Sequence, residues 1–184
     1  IITNSINKKN NEIMTTTPIS LDEIYTLANK TLINNGCDKL NAEAVSKTVT
    51  YAERDGSVSH GLFRIPGYVA ALRSTKVKGN SKPTKKNLTQ NAIQIDGDYG
   101  FAPMAIQIGI PELVKVTKNH GVGVLTIKNT HHFAALWHET EALAENELIG
   151  IACTAYMPSV APAGAIKPLF GTNPISFAWP RTVS

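Results

Sequence analysis

Apolar positions fall at helical spacing in the first part of the chain and alternate with helical stretches and strand-like runs in the rest. Leu21, Ile24, Tyr25, Ala28 and Leu32 share one face of a 3.6-residue repeat. Ser20-x-x-Glu23 is a capping box, so this helix should start at Leu21. Gly36 is its expected stop. Asn41 is positioned to cap a second helix with Val45, Thr48, Val49 and Ala52 as its inner stripe, running into an Asp55-Gly56 turn. Pro66 suits the first turn of a short third helix carrying Tyr68, Val69 and Leu72.

Beyond residue 90 the pattern changes. Ala92–Asp96 alternates like a strand ending at Asp96-Gly97. Ala102–Asn119 is helical, with Ile106, Ile110, Leu113, Val114 and Thr117 on one side, and Pro111 should kink or split it. Gly121 and Gly123 open a strand over Val124–Lys128. A helix over Leu136–Asn146, a strand over Leu148–Tyr156, a proline-rich loop and a strand over Ile175–Trp179 complete the pattern. Such alternation predicts an α/β or mixed α+β architecture. Three regions follow: a disordered leader (1–18), a helical unit (19–80) and an α/β region (81–184). The chain stops at Ser184, just after a strand, with no covering layer to follow. That predicts an incomplete fold, a fragment or a chain finished by another piece.

Composition narrows the classes. At 184 residues and 42% apolar, the chain can build a core. No apolar run approaches the roughly 18 residues of a membrane span. The opening IITNSINKKNNEI is polar and lacks a secretory core, and is read as sequence upstream of a start at Met14. Cys37 and Cys153 stand in unrelated contexts, which fits a reducing cytoplasm, with Cys153 expected to be a buried thiol. The net charge of +4 is concentrated in Arg73, Lys76, Lys78, Lys82, Lys85 and Lys86, among Gly79, Asn80 and Pro83. Without interleaved aromatics this is expected to be a solvated loop and not a nucleic-acid surface.

The candidate chemistry lies in Ser59-His60-Gly61-Leu62-Phe63-Arg64. An imidazole can hand over a proton near neutral pH. A guanidinium grips a carboxylate through two parallel hydrogen bonds. Together they point to an enzyme acting on a small 2-substituted acid. His131, His132 and His138 invite a metal reading, but adjacent histidines on a strand diverge and no paired acid or cysteine completes a set. Asp96, Asp98 and Gly100 carry only part of a calcium-loop pattern.

RDGSVSHGLFRIPGYV, IKNTHHFAALWHETEALAENELIGIACT and LFGTNPISFAWP, in this order, resemble the malate/L-lactate dehydrogenase-like family of NAD(P)-dependent oxidoreductases. HHFAALWHE, with ERDG ahead of SHG, is most similar to the Δ1-piperideine-2-carboxylate/Δ1-pyrroline-2-carboxylate reductases. The resemblance implies a mostly antiparallel, non-Rossmann dinucleotide-binding sheet with helices. The one glycine cluster, Gly121-Val122-Gly123, follows a helix and lacks the third glycine of a Rossmann fingerprint. It implies NADPH or NADH as cofactor, a small carboxylate substrate and a homodimer. His60 would be the proton donor, with Ser59 orienting or relaying to it. Arg64 would clamp the carboxylate and Thr172 would hydrogen-bond substrate. His132, Phe133, Ala134, Ala135 and Leu136 would lie against the nicotinamide nucleotide. The family chain is nearly twice as long, and its other half carries further cofactor contacts and an aspartate that works with the Ser-His pair. Three activities stay open: reduction of a cyclic imine 2-carboxylate to L-pipecolate or L-proline, oxidation of a 2-hydroxy acid (malate, lactate or ureidoglycolate), or an inactive truncated remnant.

Overall fold

The computed structural model describes residues 18–181; the leader and the Met14 start lie outside them. Helix α1 (Leu21–Ile33) begins at the reciprocal Ser20–Glu23 bonds of the capping box. Its buried residues Ile24, Ala28 and Leu32 follow the i, i+4, i+8 row. Helix α2 (Lys39–Arg54) starts earlier than the spacing suggested. Asp38, not Asn41, is the cap: Asp38 Oδ1 accepts the Asn41 N–H at 2.9 Å. The Asn41 side chain instead reaches Ser81, donating to its carbonyl and accepting from its hydroxyl at 3.1 and 2.7 Å. Helix α3 (Ile65–Arg73) has Pro66 in its first turn, as expected. Two 3-10 turns, Val58–His60 and Leu62–Arg64, join α2 to α3.

The basic segment is not a loop throughout. Thr84–Asn87 forms β1, antiparallel to β2 (Ala92–Phe101). Lysines at 85 and 86 suit an edge strand, where charge blocks pairing with other chains. Strand β2 also runs past Asp96-Gly97: a bulge between Asp96 and Gly100 carries it onward, with Asp98 and Tyr99 at positive φ. Helix α4 (Ala102–His120) is continuous through Pro111. Proline removes one hydrogen bond to the carbonyl of Gln107, and Gln107 is exposed, so water can satisfy that carbonyl. Gly121 ends α4 in the left-handed conformation, φ +79. Strand β3 (Val124–His131) then lies parallel to β2.

Helix α5 (Trp137–Ala144) leads to β4 (Gly150–Cys153), which pairs antiparallel with β5 (Ile175–Ala178) in a separate two-stranded sheet. Strand β4 is shorter than the apolar run Leu148–Tyr156, because only Gly150–Cys153 find partners on β5. Cys153 is exposed, contrary to expectation, while Cys37 is buried. Ile151, Ile175 and Phe177 are exposed on the same pair of strands.

Helices α1–α3 and the end of β2 share one core, with Leu32, Val45, Val49, Tyr68 and Phe101 among its members. Each large side chain fully withdrawn from water there contributes about 1.5–3 kcal/mol. Ile93 and Ile95 of β2 are buried under α4. Gly109 permits that approach, since a Cβ there would lie 2.8 Å from Leu125 and 3.2 Å from Ile95. Two of the three strand pairings among the described residues are antiparallel. No helix among them is long and apolar enough to cross a membrane.

Candidate active site

The site forms where the α2–α3 connection meets the segment leaving β3. The two 3-10 turns present His60 and Arg64 in quick succession. The His60 ring nitrogen Nδ1 lies 3.1 Å from Ser57 Oγ and 3.0 Å from Ser59 Oγ. Both hydroxyls crowd one edge of the ring, which leaves Nε2 as the edge for a substrate. Arg64 Nε donates to the Ser59 carbonyl at 2.7 Å. That bond steers the guanidinium back over the His60 turn and leaves its two terminal nitrogens for a ligand.

His132 arrives from the end of β3. It and Ala134 both have positive φ, +51 and +55. Left-handed backbone at two non-glycine residues costs about 1–2 kcal/mol each, and such strain concentrates at functional segments. The Ala134 N–H donates to His132 Nδ1 at 3.2 Å. A backbone N–H can only donate, so Nδ1 is the acceptor and the neutral ring carries its proton on Nε2. The hydroxyl of buried Tyr68 reaches the same Nδ1 at 2.9 Å. The His60 and His132 rings face each other at 6.5 Å with 24° between planes. Trp137 meets His60 edge-on at 6.4 Å.

A second set of bonds ties α5 to the end of α2. Trp137 Nε1 donates to Asp55 Oδ2 at 2.9 Å. Arg54 holds Asp55 through Nε and Nη2 at 2.7 and 3.0 Å and reaches Glu141 at 3.5 Å. The hydrogen bond from Arg54, more than any other contact, keeps the Asp55 carboxyl below its usual range.

The electrostatics are those of one cation among neutral rings. Burial, then the Arg64 charge, lowers the His60 pKa. Burial, then Arg64, His131 and His60, pushes His132 down to about 4. Burial pushes Tyr68 up to about 12, with Arg64 opposing. At neutral pH an anion approaching this surface meets the Arg64 charge flanked by hydrogen-bonding imidazoles.

The structure thus brings together Ser59, His60, Arg64 and His132. Phe133 is half-buried and lines two grooves, one of about 830 Å³ between α4–β3 and α5–β4, the other of about 320 Å³ beside Tyr51 and His138. Ala135 and Leu136 are buried. Thr172 is exposed on the loop before β5, and no hydrogen bond among the described residues joins it to His60, Arg64 or His132. Neighbouring Asn173 bonds the loop backbone, its Oδ1 accepting the Tyr156 N–H at 3.0 Å. Among the described residues no three His, Cys, Asp or Glu side chains are grouped to hold a metal.

Sequence reasoning missed Tyr68, Trp137 and Asp55 as site residues. Tyr68 had a usable signal, since it stands four positions after Arg64 and so on the same helical face. Trp137 and Asp55 both lie in the motifs that carry the resemblance, but nothing in the sequence pairs them, since they are 82 positions apart and are joined by folding alone.

Residues 19–184 match the family model described as malate/L-lactate dehydrogenase. Delta(1)-pyrroline-2-carboxylate reductase 2 of Burkholderia multivorans is 40% identical over 163 residues, covering 89% of this chain and 48% of that protein. Delta(1)-pyrroline-2-carboxylate/Delta(1)-piperideine-2-carboxylate reductase of Pseudomonas aeruginosa is 37% identical over 163 residues, covering 89% and 49%. The crystal structure of delta1-piperideine-2-carboxylate reductase from Pseudomonas syringae superposes with a TM-score of 0.86 at 36% identity, over 92% of this chain and 51% of that one. The chain spans about half the length of the curated relatives it matches. A match that runs through the helical unit, both sheets and the His60–His132 surface alike means that the chain belongs to the malate/L-lactate dehydrogenase family.

Proposed function

We propose that this chain carries the proton-donating and carboxylate-binding part of an NAD(P)H-dependent reductase of cyclic imine 2-carboxylates, Δ1-piperideine-2-carboxylate or Δ1-pyrroline-2-carboxylate. The observation that carries the proposal is the convergence of His60, Arg64 and His132 on one surface, from segments 68 positions apart in sequence. The terminal guanidinium nitrogens of Arg64 bind the substrate carboxylate in two points. His60 then faces the ring nitrogen of the imine and, as the imidazolium, transfers a proton to it; burial and the Arg64 charge make that imidazolium a stronger acid. Protonation turns the imine into an iminium, a much better hydride acceptor. Ser57 and Ser59 fix the ring of His60 by its Nδ1 edge, and neutral His132 offers an Nε2–H without adding charge.

His132 and Phe133, with Ala134, Ala135 and Leu136, would hold the nicotinamide nucleotide. The local structure fits such a group. Leu136 precedes α5 and gives it no side-chain cap, so a first-turn N–H such as that of Trp137 can receive a phosphate. The Ala134 N–H is engaged by His132 and serves the loop instead. When bound, the reduced nucleotide supplies the hydride. The protein supplies orientation, the proton and a fixed positive charge. NADPH is the cofactor proposed, with NADH as the variant to compare, and Thr172 closes on the substrate from the β5 loop.

The proposal includes a cytoplasmic homodimer. Free Cys37 and Cys153 fit a reducing compartment, and the exposed Ile151, Ile175 and Phe177 fit burial against further protein. The test is oxidation of NADPH and of NADH by the full-length protein, with piperideine and pyrroline carboxylates against pyruvate and oxaloacetate. Faster turnover of the imines supports the assignment. Faster turnover of the oxo acids overturns the substrate in favour of 2-hydroxy acid chemistry, for which the malate dehydrogenase of Pyrococcus horikoshii (28% identity, TM-score 0.84) is a precedent of fold. No oxidation with any of them overturns the reductase assignment.

A further inference from the structure

Glu53 sits in the last turn of α2, half-buried, facing the connection that carries His60 and Arg64. Its Oε1 accepts the Leu62 N–H at 2.7 Å. Leu62 opens the second 3-10 turn, whose N-terminal N–H groups have no partner within the turn. No side chain of the turn's own cap residue is available, because that residue is Gly61. The same Glu53 carboxyl fills the space beside Gly61. A Cβ on Gly61 would overlap Oε1 and stand 2.5 Å from Cδ and 2.7 Å from Cγ. Glycine at 61 and glutamate at 53 therefore specify one another.

The consequence lies on both sides of the peg. Residue 60 precedes Gly61 and residue 64 follows Leu62, and the Arg64 N–H donates to the Gly61 carbonyl at 2.9 Å. Fixing the Gly61-Leu62 peptide thus fixes the direction of the His60 ring on one side and the start of the Arg64 turn on the other. We propose that Glu53 is a positioning residue: its carboxylate, seated against Gly61 and bonded to the Leu62 N–H, holds the proton donor and the carboxylate clamp in mutual register. This rests on the reductase assignment for its kinetic consequence, but the mechanical claim stands on the peptide geometry alone.

The test uses the full-length protein with Glu53→Ala, Glu53→Gln, Gly61→Ala and the Glu53→Ala/Gly61→Ala pair. Hydrogen exchange at the Leu62 amide, thermal unfolding, and kcat and KM with the preferred substrate are measured for each. Glu53→Ala should expose the Leu62 amide to exchange, lower kcat and raise KM, with a combined loss of about 10²-fold in kcat/KM, the order expected for a displacement near 1 Å in a site. Glu53→Gln keeps an acceptor oxygen and should restore protection and most of the activity. Gly61→Ala should be as damaging as Glu53→Ala, while the double variant, with room for the methyl group, should be no worse than Glu53→Ala alone. Unchanged Leu62 exchange in Glu53→Ala overturns the proposal. So do additive losses in the double variant, or activity lost in step with the unfolding temperature and not rescued by glutamine. If the unsubstituted protein turns over no substrate, the reductase assignment fails, yet Leu62 exchange and the double-variant comparison still decide the role of Glu53.

Discussion

Glu139→Gln should stabilise the protein at alkaline pH and leave it unchanged in acid. Glu139 lies in the first turn of α5 and both its carboxyl oxygens are buried without a hydrogen-bond partner. Burial raises its pKa from 4.5 to about 7, against a smaller opposing effect of its own backbone N–H. A raised acid pKa means that the folded protein holds its proton after the unfolded chain has lost it. Stability therefore falls as pH rises from about 4.5 to 7, then levels off with the full cost present. At about 1.4 kcal/mol per pH unit, that cost is on the order of 3 kcal/mol. Glutamine of the same shape has no charge to desolvate.

His132 runs the other way. Its depressed pKa, 6.5 down to about 4, contributes stability that is present above 6.5 and lost as pH falls towards 4. The two slopes oppose one another between about 4.5 and 6.5, so Glu139 masks part of the rise of stability with pH that His132 produces there, as do His60, His131 and His138 with their lowered pKa values. Glu139→Gln should unmask a rise of stability with pH. Urea unfolding followed by tryptophan fluorescence at pH 4, 5.5 and 8 measures this. The expected gain is near zero at pH 4 and up to about 3 kcal/mol at pH 8. A gain independent of pH, or a loss at pH 8, would refute the buried-charge account of Glu139.

His60→Gln in the full-length protein should lower kcat by about 10²–10⁴-fold, the usual contribution of a positioned acid, as read by steady-state kinetics. Arg64→Met should mainly raise KM, by about 10- to 100-fold for the loss of a charge-assisted pair. The same substitution removes the repulsion on His60, so the pKa limiting the pH–rate profile should move up while burial still holds it below 6.5. Tyr68→Phe deletes the hydroxyl at His132 Nδ1; about 1 kcal/mol of stability should be lost, and an NMR titration should find the His132 pKa higher, because one donor to the neutral ring is gone.

The parts of this molecule that were legible along the chain are those whose causes are local. The Ser20–Glu23 box fixes the start of α1 within four residues, and the reciprocal bonds form there. Pro66 at the start of α3 and Gly121 at the end of α4 act through their own φ angles. The Ser59–Arg64 chemistry was readable too, because side-chain type and close spacing are properties of sequence, and so was the family resemblance.

What escaped such reading depends on partners far away in sequence. Asn41 and Asp38 are both good caps, and the choice falls to Asp38 because Asn41 is drawn to Ser81, 40 positions on. Thr84–Asn87 becomes a strand only because Ala92–Asp96 offers it an antiparallel edge. Cys153 is exposed with Ile151, Ile175 and Phe177 because nothing among the described residues covers that face of β4 and β5. The surface itself is of this kind: His60 and His132 stack, Tyr68 reaches Nδ1 and Trp137 finds Asp55 only after the segment leaving β3 is laid against the α2–α3 connection. Propensity and capping act over one or two turns of chain, whereas a reactive surface is assembled by packing between segments that the backbone keeps apart.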